Sequence, residues 1–156
     1  MAAVRIIGIG HVDRGDDALG RIAAARLRES APASIDIVET DGEAGKLLDL
    51  FEGADTVIVI DACVSGARPG TVQRIDAGVT HMPRWLKSAS SHAIGLAESV
   101  ELARALGQLP KRLIIYAVEA ASFTLGAPLS SAVAAALDTL PAQIGEDLVP
   151  GAAGHA

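Results

Sequence analysis

The sequence predicts an α/β fold: a three-layer sandwich with a mostly parallel, twisted sheet of about five strands and helices on both faces. Three observations predict it. Short apolar runs alternate along the chain with segments that are apolar at every third or fourth position. Half of the 156 residues are apolar but only 3% are aromatic, so the core is built from Ala, Val, Leu and Ile, which suits buried strands beneath alanine-rich helices. The run Thr56 to Ile60 is apolar throughout rather than alternating, as a strand covered on both faces is.

Val4 to Ile9 reads as the first strand, followed by a loop from Gly10 to Asp16 and a helix from Asp17 to about Arg28, with Leu19, Ile22, Ala23 and Leu27 on one stripe. Ile35 to Glu39 is a second strand and Gly45 to Phe51 a short helix that turns Leu47, Leu48 and Phe51 to the sheet. Thr56 to Asp61 is the third strand. Ala67-Arg68-Pro69-Gly70 forms a turn, and Thr71 to Ile75 alternates as a strand that could run antiparallel. Gly78 to Ser91, with Pro83 and three serines, reads as a long surface loop leading to a helix from about His92 to Leu106. Pro110 breaks that helix before a buried strand, Arg112 to Val118. Ser130 then caps a last helix carrying Val133, Leu137, Leu140 and Ile144, which Pro141 is expected to kink or end. Residues 1–150 form one domain, and 151–156 a small-residue tail expected to be disordered.

A formal net charge of −6, with thirteen scattered basic residues, argues against nucleic acid. No apolar run approaches the length needed to span a bilayer. The apolar run Val4 to Ile9 is short and leads into a loop, unlike a secretory signal, and a lone cysteine fits a reducing cytoplasm. A soluble cytoplasmic protein, a monomer or weak homo-oligomer, is expected.

In a parallel α/β sheet the site lies beyond the carboxyl ends of the strands. Chemistry should therefore collect in the loop ending at Asp17, at Asp41, at Asp61 to Ser65 and before His92. Gly8-Ile9-Gly10-His11 begins like a dinucleotide fingerprint, but the next glycine is Gly15 and the helix opens with Asp16 and Asp17, which would repel phosphate there. Acidic residues at a helix start are ordinarily caps, and one of this pair is expected to do only that. Asp61 ends an apolar strand, where a carboxylate needs a cation or hydrogen-bond donors. His92, at a helix start, would be kept neutral and able to ligate. Two carboxylates and one imidazole suit zinc or nickel rather than calcium, although their wide separation makes no metal motif. Cys63 shares the strand face of Asp61 by period two and could be a nucleophile, but a nearby carboxylate raises a thiol pKa. No Gly-x-Ser-x-Gly elbow is present.

Ile6-Ile7-Gly8-Ile9-Gly10 with Gly15 to Gly20, then Asp41-Gly42-Glu43-Ala44-Gly45, Val57 to Ala62 with Pro69 to Val72, and Ser91-His92-Ala93-Ile94-Gly95-Leu96-Ala97-Glu98 resemble the hydrogenase maturation proteases, in order and over most of the chain. That resemblance implies an endopeptidase, carried under the aspartic-type heading and as an enzyme activator. Such an enzyme removes the C-terminal extension of a nickel-iron hydrogenase large-subunit precursor after nickel insertion. It places the metal-binding and catalytic positions on Asp17, Asp61 and His92, and a supporting or substrate-contacting carboxylate on Asp41, whose plain alternative is to form the turn before Gly42. The nickel would come with the substrate, and no permanently bound cofactor is expected. His11, where the family commonly has Asn, and Glu43, where a small or hydroxyl residue is usual, depart from the pattern and bear on substrate preference. The alternatives are a checkpoint or chaperone that binds the nickel site without cutting, and a Rossmann-like nucleotide-dependent oxidoreductase.

Overall fold

In the computed structural model, residues 3–84, 87–88 and 95–148 are described. His92 and the 151–156 tail lie outside them. Strands β1 (Val4–Ile9), β2 (Ile35–Thr40), β3 (Thr56–Val64) and β6 (Arg112–Glu119) are parallel, and β4 (Val72–Asp76) closes one edge antiparallel to β6, in the order β2-β1-β3-β6-β4. A two-residue strand, β5 (Lys87–Ser88), adds antiparallel to the far end of β3.

The period-two alternation of the central strands feeds two separate cores. Ile7, Ile9, Val57, Val59 and Ile115 pack under α2 (Ala44–Phe51) and α3 (Leu96–Ala105). Ile6, Ile58, Ile60, Ile114 and Val118 pack under α1 (Leu19–Ser30) and α4 (Ser131–Leu148). Both faces are therefore covered, as the sequence predicts. No helix of the described residues is long and apolar enough to cross a membrane.

Four sequence expectations are corrected. Asp17 opens no α-helix: Gly15–Ala18 is a 3-10 turn, and α1 starts at Leu19. Asp61 does not end its strand, because Ala62 and Cys63 continue pairing with Val118 and Glu119 of β6. Helix α3 starts at Leu96, with Gly95 extended as its N-cap residue; the expected start at His92 lies outside the described residues. Pro141 does not end α4, which runs on to Leu148. Leu137, Leu140 and Ile144 on either side of it are all buried, so tertiary packing outweighs the one backbone hydrogen bond a proline removes.

The order β2-β1-β3 puts a topological switch point between β1 and β3, where successive crossovers leave in opposite directions. Pairing of β1 with β3 ends at Gly8 and Ile60, so Asp61 is the first β3 residue beyond it.

Candidate functional site

Helix α1 is drawn onto the switch point by missing side chains. A Cβ on Gly20 would stand 2.2 Å from the Ile9 carbonyl oxygen and 2.4 Å from that of Ile60, and one on Gly8 would stand 2.1 Å from the Gly20 carbonyl oxygen. Only glycine permits such an approach of backbone to backbone. The glycines that look like a phosphate cradle are thus used to pack helix on sheet. Gly10 is filled in the same way by the Asp17 carbonyl, 2.1 Å from its would-be Cβ.

The 3-10 turn that precedes α1 packs on β3 and carries two buried carboxylates with different surroundings. Asp16, fully buried, accepts from the Ala121 amide at 2.7 Å, the Ser122 amide at 3.1 Å, the Ser130 amide at 2.7 Å and the Ser130 hydroxyl at 2.9 Å. It fastens the β6–α4 loop to the β1–α1 loop. It caps no amide of α1, since neither Arg14 nor Ala18 at the N-cap positions makes a side-chain cap and Asp16 faces the other loop. Ser130 correspondingly gives its hydroxyl to Asp16 while sitting just before α4.

Asp17 is 2% exposed, and its carbonyl accepts from the His11 amide at 3.2 Å. Asp61, also 2% exposed, is carried by β3 on the α2/α3 face, towards the carboxyl end of the sheet. Continuation of β3 along β6 past Asp61 buries it almost completely. Asp17 and Asp61 therefore come to one end of the sheet from segments 44 residues apart (61 minus 17).

Asp41 lies beyond β2 and is partly exposed. Its Oδ1 accepts from the Glu43 amide at 3.1 Å and its Oδ2 pairs with Lys46 at 3.2 Å, so it forms the turn at Gly42, whose φ is +87°. Glu43, where the sequence departs from the family pattern, is the N-cap of α2: its carboxylate accepts from the Gly45 amide at 2.9 Å and the Lys46 amide at 3.2 Å. Its place in the fold is structural.

The same end of the sheet carries a carboxylate that sequence reasoning missed. Glu119, 3% exposed, is paired in register with Cys63. It accepts from the Ser65 amide at 3.0 Å to each oxygen, from the Ser65 hydroxyl, and from the Cys63 thiol at 3.7 Å. Burial first, then the Glu119 charge and hydrogen bond, then the charge of Asp61, push the Cys63 thiol up to about 12. Such a thiol stays protonated at neutral pH, which argues against Cys63 as nucleophile. Among the described residues no group of three or more His, Cys, Asp or Glu is gathered to hold a metal ion; His92, the third predicted ligand, lies outside them.

These features define an α/β protein of the switch-point type, with buried carboxylates rather than a phosphate cradle at its crevice. Residues 23–146 match the HycI hydrogenase maturation protease family, and the chain belongs to that family. The matched span includes Asp41, Asp61 and His92 and begins after Asp17. The chain is 32% identical over 120 residues to the hydrogenase expression/formation protein HupD of Thiocapsa roseopersicina, covering 74% of this chain and 53% of that protein. It is 28% identical over 119 residues to the hydrogenase 2 maturation protease of Escherichia coli (strain K12), covering 74% and 71%. It thus spans little more than half the length of the first of these relatives. Among solved structures, the hydrogenase maturating endopeptidase HybD from E. coli superposes with a TM-score of 0.70 at 25% identity, covering 92% of this chain and 93% of that one.

Proposed function

We propose that this protein is an endopeptidase that removes the C-terminal extension of a nickel-iron hydrogenase large-subunit precursor, in the cytoplasm, after nickel has been inserted. The observation that supports this reading is that the fold brings Asp17 and Asp61 to the carboxyl end of the parallel sheet, beside its switch point, in a chain from the hydrogenase maturation protease family. Carboxylates are oxygen ligands for a cation, and two of them brought to one end of the sheet suit an ion whose other ligands are already in place. Nickel anchored in the precursor is such a cation and belongs to the substrate. Asp17, Asp61 and His92 supply one imidazole and two carboxylates, a donor set that suits nickel or zinc. Once held, the ion acts as a Lewis acid beside the scissile peptide. Asp41 supports the rim through its turn. The nucleotide-dependent alternative is disfavoured at the same place, because a Cβ on Gly8 or Gly10 would stand 2.1 Å from the carbonyl oxygens of Gly20 and Asp17, so these glycines serve to pack the chain on itself, and the following turn opens with two carboxylates.

The test is to incubate the protein with nickel-loaded and nickel-free precursor and weigh the products. Loaded precursor is expected to lose its C-terminal segment and nickel-free precursor to stay intact, with Asp61→Asn and His92→Ala inactive on both. Equal cleavage of both forms would remove nickel as the recognition element. Tight binding without cleavage would favour the checkpoint reading instead.

A further inference from the structure

Glu119 is a buried carboxylate that the proposed reaction leaves unused. It is 3% exposed and ends β6, the strand beside that of Asp61. Both of its oxygens accept: Oε1 from the Ser65 amide at 3.0 Å, the Ser65 hydroxyl and the Cys63 thiol, and Oε2 from the Ser65 amide at 3.0 Å. That is the pattern of the carboxylate anion, which only accepts. All of these donors are neutral, and among the described residues no Lys, Arg or His makes an ion pair with it. A charge held out of water without a counter-ion keeps its field. The register aims that field at Asp61. Cys63 pairs with Glu119 and Asp61 with Ala117 on parallel strands, and alternation puts Asp61, Cys63 and Glu119 on the α2/α3 face. Two residues of rise and one strand spacing separate Glu119 from Asp61 by about 8 Å at Cα, and the Cys63 thiol lies in the field of both.

We infer that Glu119 is a positioning residue for the substrate's metal ion, a carboxylate that does not ligate it but whose uncancelled charge draws a divalent cation to Asp61. This rests on the reading of Asp61 as a residue of the processing site. The oxygens of Glu119 are already engaged by Ser65 and Cys63, which leaves its charge rather than its lone pairs for the ion. Among the described residues it joins no group of three that could hold a metal. A cation at Asp61 is attracted by both carboxylates, whereas without the ion Asp61 faces a like charge. Glu119 therefore sharpens the preference for loaded over nickel-free precursor and leaves affinity for the polypeptide itself alone. The competing account is a clasp, in which Glu119 only ties Ser65 and the end of β3 to β6, with the Gln73 amide donating to the Ser65 hydroxyl at 3.3 Å. The clasp depends on hydrogen bonds and the field on charge, so substitutions separate them.

The test measures Kd for nickel-loaded and nickel-free precursor with wild type, Glu119→Gln, Glu119→Asp, Ser65→Ala and Asp61→Asn, each checked for its fold by circular dichroism and Tm. Wild type is expected to prefer loaded precursor. Glu119→Gln keeps the size and loses the charge, and should lower that preference about tenfold or more through weaker binding of the loaded form, with Kd for the nickel-free form unchanged. Glu119→Asp and Ser65→Ala weaken the clasp and keep the charge, so they should lower Tm yet hold the preference within about threefold of wild type. A folded Glu119→Gln with the wild-type preference would overturn the inference. Loss of the preference in Glu119→Asp or Ser65→Ala would overturn it too, and decides the matter should Glu119→Gln fail to fold. Asp61→Asn tells the two readings apart: loss of preference there but not in Glu119→Gln removes the role of Glu119 alone. A wild-type preference in Asp61→Asn, or none in wild type, removes the site reading and this inference with it.

Discussion

Asp16→Ala removes a side chain that ties two loops at the carboxyl end of the sheet together. The buried carboxylate accepts four hydrogen bonds, three from backbone amides and one from the Ser130 hydroxyl. Each bond to a charged acceptor contributes about 1.5–3 kcal/mol. The full sum overstates the loss, because amides of a loop near the surface recover water once the loop loosens. Retaining roughly half gives about 4 kcal/mol, in the range of the more severe single substitutions. At 2–4 °C per kcal/mol for a chain of this size, Tm should fall by roughly 8–16 °C. Asp16→Asn keeps the volume and one acceptor but turns an NH2 group towards donors, so a decrease of about half that size is expected. Thermal unfolding followed by circular dichroism would measure both Tm shifts, and urea unfolding with an unchanged m value would show that stability alone has moved. A fall of less than about 3 °C for Asp16→Ala would refute the latch, since it would mean that the loop is held by other contacts.

Gly20→Ala should destabilise by more than about 3 kcal/mol and loosen the site with it, because the added carbon meets backbone oxygens of Ile9 and Ile60 that cannot move aside; thermal unfolding checks this. Asp147 on α4 is 7% exposed and binds Arg74, Arg112 and the Tyr116 hydroxyl. Burial pushes its carboxyl up, but the hydrogen bonds of Arg74 and Tyr116 and the charges of Arg74 and Arg112 outweigh this and hold it below the ordinary range. A carboxyl depressed on folding contributes stability that is complete above the unfolded value of about 4 and lost as pH falls below it. Asp147→Ala should cost about 2–3 kcal/mol at pH 7, less than a fully buried pair because Arg74 is 42% exposed. The variant should also show a shallower loss of urea stability between pH 5 and pH 3, both of these pH values being approximate bounds of the acid limb. Cys63→Ser is expected to keep processing activity, and alkylation of Cys63 in the native protein should run roughly a hundredfold or more slower than in urea.

The strands were legible because their apolar runs are set by burial on both faces, a demand that acts residue by residue along the chain. What escaped depends on partners distant in sequence. Ala62 to Val64 extend β3 only because β6 and β5 pair with them, and a charged Asp61 in the middle of a strand reads as its end. Helix α4 passes through Pro141 because the residues around it are buried against α1 and the sheet, a gain invisible to a rule about prolines. The Asp147 network joins β4, β6 and α4 across 73 residues, from Arg74 to Asp147, and nothing local announces it.

The candidate site divides in the same way. The carboxyl-end rule brought Asp17, Asp41 and Asp61 into view because it needs only strand order and direction. Glu119 carries the signal that singled out Asp61, a carboxylate at the end of an apolar run, and was lost by ending the strand one residue early, at Val118 rather than Glu119. Asp16 and Asp17 are a harder case, since neighbours of the same type at a helix start have no local feature to separate them. Their difference comes from a loop 105 residues further on, whose amides turn Asp16 into a structural acceptor. With Asp16 committed to that loop, the proposed role at the site falls to Asp17. The latch and the proposed site are then coupled: the bonds that fix Asp16 also fix the backbone on which its neighbour Asp17 stands, so rigidity supplied by one acidic residue holds the proposed site residue beside it.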